Sequence, residues 1–372
     1  MNLNDLDTPV LLADLDILER NIARMARISH NGGKALRPHT KTHKTPEIAR
    51  MQIAAGAQGL TCAKLGEAEV LVDAGFDDVF IANQIVGPLK IERLLNLALR
   101  ARITVAIDSA EVALPIGDAA AARGIRVPVR IEVDTGLGRA GARSAPEVLA
   151  IARCAAESRG LEFAGIFTHE GHLYKSAEPA LAAAHAAGQM LGTADMLADA
   201  GLPCEAISVG STPGASLMAP YEGLTELRPG VYVFNDLDQE FIGSCKPADL
   251  ALSVLASVIG HYPHRNQLLI DAGALALSKD ISAQEFQPKV GFGTIADPPA
   301  KDMAVVACSQ EHGFVQSDDP IPYGNLPVGS RVRVLPNHAC ITAAAYDRYY
   351  VVDSDLDGGK TVVETYDRIN GW

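Results

Sequence analysis

The first 240 residues alternate short apolar runs with longer stretches in which apolar residues recur every three or four positions. Runs such as "DVFIAN" (78–83) and "RITVAID" (102–108) are short and almost wholly apolar. Stretches such as "PLKIERLLNLALRA" (88–101) have helical spacing instead. Apolar strands separated by helices are typical of parallel strands that are buried on both faces. The pattern therefore predicts eight strand–helix units.

Eight units in about 230 residues fit a closed (β/α)₈ barrel of the TIM type. An open, doubly wound sheet is the alternative, but no Gly-x-Gly-x-x-Gly motif follows the first predicted strand. We therefore predict an α/β chain whose barrel occupies residues 8–240.

After residue 240 the pattern changes to strand-like runs separated by Gly, Pro and Asp, among them "QLLIDAGALALS" (267–278) and "SRVRVLPNHAC" (330–340). This pattern predicts an antiparallel β domain over residues 241–372, together with residues 1–7. The segment "TPVLLADL" (8–15) is also strand-like and is expected to add a strand to this second domain.

Composition excludes several classes of protein. A net charge of −13 and a pI near 5.2 argue against a nucleic-acid binder, which needs a basic field. No apolar run approaches the roughly 20 residues of a membrane span, and acidic residues interrupt the N-terminal segment, so we expect no signal peptide. Six scattered cysteines do not form a disulfide framework. The expected location is the cytoplasm, without membrane or nucleic-acid partners.

Against this acidic background, six basic residues lie within positions 34–44. If "ALRPHTK" is extended, Arg37, His39 and Lys41 share one face. Active sites of barrels form at the C-terminal ends of the strands. Cationic neighbours and burial lower the pKa of a lysine, and its neutral amine is nucleophilic. Lys41 is thus a candidate Schiff-base residue, although the charge pattern alone favours solvent-facing cations.

The stretch "RPHTKTHKTPEIAR" closely resembles the cofactor-lysine segment of the D-serine dehydratase and D-threonine aldolase family. The opening "DTPVLLADLDILERNIARMA" resembles the same family, and the resemblance runs essentially end to end. It implies the alanine-racemase-like fold, pyridoxal 5′-phosphate as cofactor, and Lys41 as the residue that carries it covalently. His43 and Lys44 flank this lysine in the motif and receive no chemical role.

Two further segments carry resemblance to cofactor-contacting parts of the family. "VDTGLGRAG" follows a predicted strand, and the resemblance brings Arg139 towards the phenolic oxygen of the cofactor. "FTHEGHLY" ends the next strand and crowds His169, His172 and Tyr174 at one rim of the barrel. The resemblance implies that this segment lines the cofactor ring, with Tyr174 as a cofactor contact. We expect His172 to lie near the substrate and to act in catalysis.

The segment "SVGSTPGAS" follows the seventh predicted strand. Backbone N–H groups at a Gly/Ser/Thr-rich turn ahead of a short helix can bind an anion. Barrels often bind phosphate at the loops after strands seven and eight. We therefore expect Gly210, Ser211 and Thr212 to hold the cofactor phosphate, and the resemblance of "YVFND" adds Tyr232.

This segment departs from the pattern of alanine racemases. Those enzymes present an arginine to the pyridine nitrogen from the seventh strand, and "AISVGST" contains none. A racemase activity is weakened by this departure, but another residue could serve, so racemase stays an alternative.

The segment "PNHACITAAAYDRYYVVD" carries two candidate metal ligands. His338 and Cys340 are two residues apart, so an extended backbone would point both side chains the same way. Imidazole and thiolate together select zinc first, and two protein ligands leave positions for water and substrate. A buried cysteine beside an incidental histidine is the alternative. Mn²⁺ and Mg²⁺ are the other candidate ions.

This pair resembles the zinc-binding His-x-Cys of D-serine dehydratases. Aldolases of the family more typically carry His-Cys-Asp with a harder ion such as manganese, and Ile341 stands where that Asp would be. "SQEHGF" also resembles a family segment near the site, which leaves the roles of Glu311 and His312 open. The resemblance further implies a homodimer in which the second domain of one chain completes the barrel mouth of the other.

The predicted function is a lyase, dependent on pyridoxal phosphate and zinc, that acts on small 3-hydroxy D-amino acids. Dehydration to a 2-oxo acid and ammonia is favoured, with D-serine, D-threonine and 3-hydroxy-D-aspartate as candidate substrates. Aldol cleavage to glycine and an aldehyde is the first alternative. An amino-acid racemase and a barrel that binds the cofactor without catalysis are the others.

Overall fold

The computed structural model describes residues 1–371, which separate into two compact units. One unit comprises Met1–Ala23 and Val231–Asn370, and the other comprises Arg24–Gly230. Each unit contains one sheet. No helix within the described residues is long and apolar enough to cross a membrane.

The strands within residues 1–371 are β1 (Val10–Asp14), β2 (Ala35–Leu36), β3 (Leu60–Cys62), β4 (Asp78–Gln84), β5 (Arg102–Ile107), β6 (Val127–Glu132), β7 (Leu161–Phe167), β8 (Ala206–Val209), β9 (Glu226–Leu227), β10 (Leu252–Tyr262), β11 (Gln267–Ile270), β12 (Thr294–Ile295), β13 (Ala304–Cys308), β14 (Gly313–Gln316), β15 (Arg331–Leu335), β16 (Arg348–Val352) and β17 (Val362–Asp367).

The α-helices in the same residues are α1 (Leu15–Asn31), α2 (Pro46–Ala54), α3 (Leu65–Asp73), α4 (Pro88–Ala98), α5 (Ala110–Ala122), α6 (Ala145–Glu157), α7 (Pro179–Asp199), α8 (Thr212–Met218), α9 (Leu237–Phe241), α10 (Ala274–Leu277), α11 (Ala339–Ala343) and α12 (Ser354–Asp357).

The Arg24–Gly230 unit is built on an eight-stranded parallel sheet in the order β2-β9-β8-β7-β6-β5-β4-β3. Local sequence explains where its helices begin. Proline opens α2, α4 and α7, where its missing N–H has no helical partner to lose. Ser109 and Ser144 cap α5 and α6 by accepting a backbone N–H in the first turn. The alternation predicted from the apolar pattern is therefore confirmed.

The predicted strict TIM barrel is not supported. Regular pairing does not join the two outer strands, β2 and β3. One bridge between His39 and Thr61 and a hydrogen bond from Thr61 N to the carbonyl of Pro38 (2.8 Å) lie between them. Because β2 has two residues and Pro38 has no N–H, a full ladder cannot form here. The observed arrangement is an eight-stranded parallel sheet whose outer strands are incompletely joined, and the other unit contains a separate, largely antiparallel sheet.

The interior of the parallel unit contains a buried ion network. Glu226 accepts hydrogen bonds from Arg37 Nε (2.7 Å), Arg130 Nη1 (2.6 Å) and Ser208 Oγ (2.6 Å). Burial raises the pKa of Glu226, but the two arginines outweigh it and lower that pKa to about 2. The carboxylate therefore stays ionised and compensates two buried guanidinium groups, which would be costly to leave unpaired.

The other unit contains a closed antiparallel barrel. β10 pairs with both β11 and β15, and the order β11-β14-β13-β12-β15-β10 completes the ring. β1 pairs antiparallel with β10 and parallel with β16, so the strand predicted in residues 8–15 does join this sheet. β17 then pairs with β16 at the edge.

Two strand predictions in this unit extend too far. The run 267–278 is strand only to Ile270, and the short helix α10 follows. The run 330–340 is strand only to Leu335. Pro336 comes next and has no N–H for a ladder, which explains the end of the strand.

Candidate active site

Lys41 lies in a tight turn just after β2, and its side chain is exposed. The prediction of an extended strand as far as Lys41 is wrong, because regular pairing ends at Leu36. The N–H of Lys44 bonds to the carbonyl of Thr40 at 2.7 Å and closes the turn. The turn follows the carboxyl end of a parallel strand, where α/β sheets place their active sites.

Several basic residues of this segment have partners within the protein: Lys34 donates to the Tyr221 carbonyl (2.7 Å), Arg37 to Glu226 and Asp78, and Lys44 is paired with Glu67 (3.0 Å). The rings of His39 and His43 accept the backbone N–H groups of Lys41 (3.3 Å) and Thr45 (3.2 Å). The basic stretch is thus in part a set of internal ion pairs and hydrogen bonds. The positive charge of Arg37 is compensated by Asp78 and Glu226. Arg37 is therefore a weaker candidate than its sequence position suggests for lowering the pKa of Lys41.

Two histidines lie within electrostatic range of Lys41. Burial, then Lys41 and Arg228, hold the pKa of His39 well below its ordinary value. Burial and Lys41 lower the pKa of His169 to about 3, with a further contribution from Arg139. Both imidazoles are therefore neutral at neutral pH, and Lys41 and Arg139, both predicted from the sequence, come together around His169.

His169 is held in one tautomer by a backbone carbonyl. Its Nδ1 donates to the carbonyl oxygen of Gly210 at 2.6 Å, and since a carbonyl only accepts, Nδ1 carries the proton. Nε2 is then left as the acceptor of the ring. The contact ties the segment after β7 to the turn after β8.

Arg139 lies in the glycine-rich turn after β6 and is about half exposed. Its Nη2 is 3.4 Å from Oε1 of Glu132, and Oε2 of the same carboxylate accepts a hydrogen bond from Gln84 at 2.9 Å. Contact of Arg139 with the phenolic oxygen of a cofactor stays a prediction.

The turn predicted to bind phosphate is engaged by a carboxylate of the protein. Gly210 N–H and the Ser211 hydroxyl donate to Glu170 at 3.1 Å and 3.0 Å. Glu170 is fully buried, and burial raises its pKa. The short helix predicted here does begin at Thr212, with Ser211 as its cap. The phosphate contacts of Gly210, Ser211 and Thr212 stay a prediction.

Glu170 is a site residue that sequence reasoning missed. Its one signal is its position between His169 and Gly171 in the rim segment "THEGH". An isolated acidic residue in a loop carries no spacing rule, so its role became visible only from its contacts with Gly210 and Ser211.

His172 and Tyr174 lie in a 3₁₀ turn, Gly171–Lys175. His172 lines a cavity of about 540 Å³ together with Thr135, His185 and Gln189. Its Nδ1 is buried and has no hydrogen-bond partner within residues 1–371. A polar ligand in this cavity would supply that partner, and the place of His172 near the substrate stays a prediction.

Tyr232 belongs to the other unit, where it is fully buried in the 3₁₀ turn Val231–Val233. Glu311 and His312 are exposed in the loop between β13 and β14. The phosphate contact expected of Tyr232 stays a prediction, and the roles of Glu311 and His312 stay open.

The predicted metal ligands have a different local backbone from the one expected. His338 is extended, but Cys340 is already in the first turn of α11, so the prediction of an extended pair is wrong. Asp236 explains the turn, because its carboxylate accepts the N–H of Ala339 at 2.8 Å. The two side chains still meet, through a hydrogen bond between His338 and Cys340.

His338 is also bonded to Asp280, whose Oδ2 lies 2.8 Å from its Nδ1. Burial lowers the pKa of His338, but Asp280 and Cys340 outweigh burial and raise it to about 11. Within residues 1–371 no group of three or more His, Cys, Asp and Glu side chains is arranged to hold a metal ion. The donor chemistry of His338 and Cys340 fits a zinc ion with two protein ligands.

Comparison with known proteins identifies the family. Residues 13–238 match the alanine racemase N-terminal domain, and residues 251–352 match the serine dehydratase domain. D-threo-3-hydroxyaspartate dehydratase of Delftia sp. (strain HT23) is 37% identical, over 99% of this chain and 98% of its own. D-threonine aldolase of Arthrobacter sp. is 34% identical, over 93% of this chain and 89% of its own.

Solved structures of a D-threo-3-hydroxyaspartate dehydratase include a cysteine-to-alanine variant in a metal-free form and a histidine-to-alanine variant. Both superpose with a TM-score of 0.93 at 36% identity, and they cover 100% of this chain and 100% and 97% of theirs. The chain therefore belongs to the alanine-racemase-like family that contains the D-serine dehydratases, the D-threonine aldolases and the 3-hydroxyaspartate dehydratases.

Proposed function

We propose that this protein is a lyase, dependent on pyridoxal phosphate and zinc, that dehydrates small 3-hydroxy D-amino acids to a 2-oxo acid and ammonia. The observation that carries the proposal is the contact between His338 and Cys340, with Asp280 bonded behind the imidazole. Neither racemisation nor cofactor binding alone requires a metal ion, so neither function accounts for a histidine and cysteine pair of this kind.

Family membership supports pyridoxal 5′-phosphate as the cofactor. The residues around Lys41 fit it, because Lys41, Arg139 and Arg228 place three cations near His169 in an acidic protein. A doubly charged phosphate ester is favoured by such a field. When bound, the cofactor supplies an electron sink for the α-carbon of the substrate.

Lys41 has two roles in this proposal. Its Nζ would carry the cofactor covalently, and as a free amine the same Nζ would accept the α-proton of the substrate. His39 and His169 are neutral neighbours, so neither adds a positive charge that would repel the ammonium of an arriving amino acid. His172 lines the adjoining cavity and is placed to orient the substrate through a hydrogen bond from or to Nδ1.

His338 and Cys340 would hold the zinc ion, which supplies Lewis-acid activation of the β-hydroxyl leaving group. In the solved D-threo-3-hydroxyaspartate dehydratase variants, the substituted histidine and cysteine are two residues apart, as His338 and Cys340 are, and the structure of the cysteine variant is that of a metal-free form. A thiolate ligand favours zinc over the harder ions Mn²⁺ and Mg²⁺.

Aldol cleavage is the second candidate function, because a D-threonine aldolase is among the relatives. The resemblance gives aldolases an Asp directly after the cysteine. Ile341 occupies that position here and is 48% exposed. With no carboxylate there to join the metal ligands, dehydration is the better-supported reaction.

Three structural features complete the proposal. The sheet would act as a closed (β/α)₈ barrel over residues 8–240, as the bridge between His39 and Thr61 supports. The metal site would belong to the β domain of residues 241–372, with residues 1–7. The resemblance implies a homodimer in which this domain of one chain serves the barrel of its partner.

A stereochemical panel tests the proposal. Purified protein loaded with pyridoxal phosphate and zinc is incubated with D-serine, 3-hydroxy-D-aspartate and their L-enantiomers, and 2-oxo acid and ammonia are measured. We expect equimolar 2-oxo acid and ammonia from the D-amino acids alone. Turnover of the L-enantiomers, or conversion between enantiomers without ammonia, would contradict the proposal.

A further inference from the structure

His338 is oriented by a carboxylate from a distant part of its own unit. Oδ2 of Asp280 lies 2.8 Å from Nδ1 of His338. When Asp280 is ionised it only accepts, so the shared proton belongs to Nδ1. Nε2 is then the ring atom directed away from the carboxylate, and it can bind a metal ion once it has lost its own proton. A residue that the sequence analysis did not single out thus sets both the tautomer and the orientation of the ring.

Asp280 is itself fixed on two further sides. Its Oδ1 accepts the backbone N–H of Ser282 at 2.9 Å, and its backbone carbonyl accepts Nδ2 of Asn337 at 2.9 Å. Asn337 directly precedes His338, and the same amide nitrogen also donates to the Gly291 carbonyl at 2.9 Å. The backbone of Asp280 is therefore tied to the residue next to His338, which limits the freedom of the carboxylate relative to the imidazole.

A second carboxylate, that of the buried Asp236, fixes the backbone on the cysteine side of the pair. Asp236 accepts the N–H of Ala339 at 2.8 Å through Oδ2 and the N–H of Gln239 at 3.0 Å through Oδ1. Ala339 lies between His338 and Cys340, so Asp236 holds the backbone that joins them. Asp236 thus fixes the backbone of the pair, and Asp280 fixes the ring of His338.

We infer that Asp280 is the positioning residue of the metal site, which holds His338 so that Nε2 and the Cys340 sulfur bind one zinc ion. This inference rests on the metal site of the proposed function. Histidine ligands commonly donate their second N–H to a carboxylate, and loss of such a partner typically weakens metal binding about 10- to 100-fold.

The test is zinc affinity, measured on the cofactor-loaded protein by competition with a chromophoric chelator. In Asp280→Asn the side chain keeps its shape but loses its charge, and its NH₂ group can force the proton of His338 onto Nε2. We expect zinc affinity to fall about 10- to 100-fold. In the cobalt-substituted protein, the thiolate-to-cobalt charge-transfer band should weaken in parallel at equal cobalt.

Asp238→Asn is the matched control. Asp238 is another carboxylate in the same unit, and its hydrogen bond comes from the Ser282 hydroxyl and not from His338. Asp238 also lies within electrostatic range of His338, so this variant removes a nearby charge without removing the hydrogen bond to the ring. We expect its zinc affinity to fall far less than that of Asp280→Asn. An equal loss in both variants would mean that charge and not orientation matters, and would overturn the inference.

Two further measurements separate the possible failures. Circular dichroism and thermal unfolding of the metal-free variants check that the fold survives, and Asp280→Glu, which keeps a carboxylate, is expected to bind zinc more tightly than Asp280→Asn. If Asp280→Asn keeps the zinc affinity of the unmodified protein, or if Asp280→Glu binds zinc no more tightly than Asp280→Asn, the role inferred for Asp280 is overturned while the proposed metal site stands. An unmodified protein that binds no zinc overturns the proposed metal site as well.

Discussion

Lys41→Arg is expected to abolish turnover, with a loss of at least about 10³-fold, because arginine cannot carry the cofactor covalently or accept the α-proton. The substitution keeps the positive charge near His169, so the field that favours the phosphate of the cofactor is retained. Cofactor should therefore still associate without covalent attachment. Borohydride reduction followed by peptide mass spectrometry measures this directly, since only the unmodified protein should yield a labelled Lys41 peptide.

Lys44→Arg is the matched control for this result. Lys44 lies three residues further along the same segment and is ion-paired with Glu67 at 3.0 Å, which an arginine can also bind. We expect near-normal turnover and cofactor still attached at Lys41. Covalent label on Lys44, or activity retained in Lys41→Arg, would show that the cofactor lysine has been misassigned.

His338→Ala is expected to lower turnover more than about 100-fold while the protein keeps its cofactor. The reason is that zinc activation of the leaving group is worth several kcal/mol in the transition state, and His338 supplies one of its two protein ligands. Cofactor content is measured from the reduced, labelled protein, and zinc content from elemental analysis. Both are compared with the rate of ammonia release.

His264→Ala serves as the control, because His264 is an exposed histidine of the same unit. It should leave the rate, the zinc content and the cofactor content unchanged. Treatment of the unmodified protein with a chelator should reproduce the His338→Ala defect, and added zinc should reverse it. Full activity in His338→Ala would contradict a metal-dependent reaction.

Much of the fold was predictable because its signals are local. Apolar runs fixed the positions of β4 to β8, and proline or serine marked the beginnings of α2, α4, α5 and α6. The errors also have local causes. Proline at positions 38 and 336 removes a ladder N–H, so the strands before Lys41 and His338 end earlier than their apolar pattern suggests.

Only those site residues that belong to a recognisable sequence motif were predictable. Lys41 and the pair His338 and Cys340 follow from sequence spacing and resemblance. Glu170 and Asp280 could not be predicted in this way, because each acts on a residue that is distant in sequence or carries no motif. Asp280 is 58 residues from the histidine that it contacts. Such contacts arise from the tertiary fold and cannot be predicted from a local sequence pattern.

The most direct test of the proposed function is the product distribution from D-threonine, followed by NMR with the cofactor-loaded protein in its zinc-loaded and metal-stripped forms. The proposal predicts 2-oxobutanoate and ammonia in equal amounts from the zinc-loaded form, and neither product at a comparable rate without the metal. Glycine and acetaldehyde would instead establish an aldolase and contradict the proposed dehydration. An equal rate of 2-oxobutanoate formation without zinc would contradict the role assigned to His338 and Cys340.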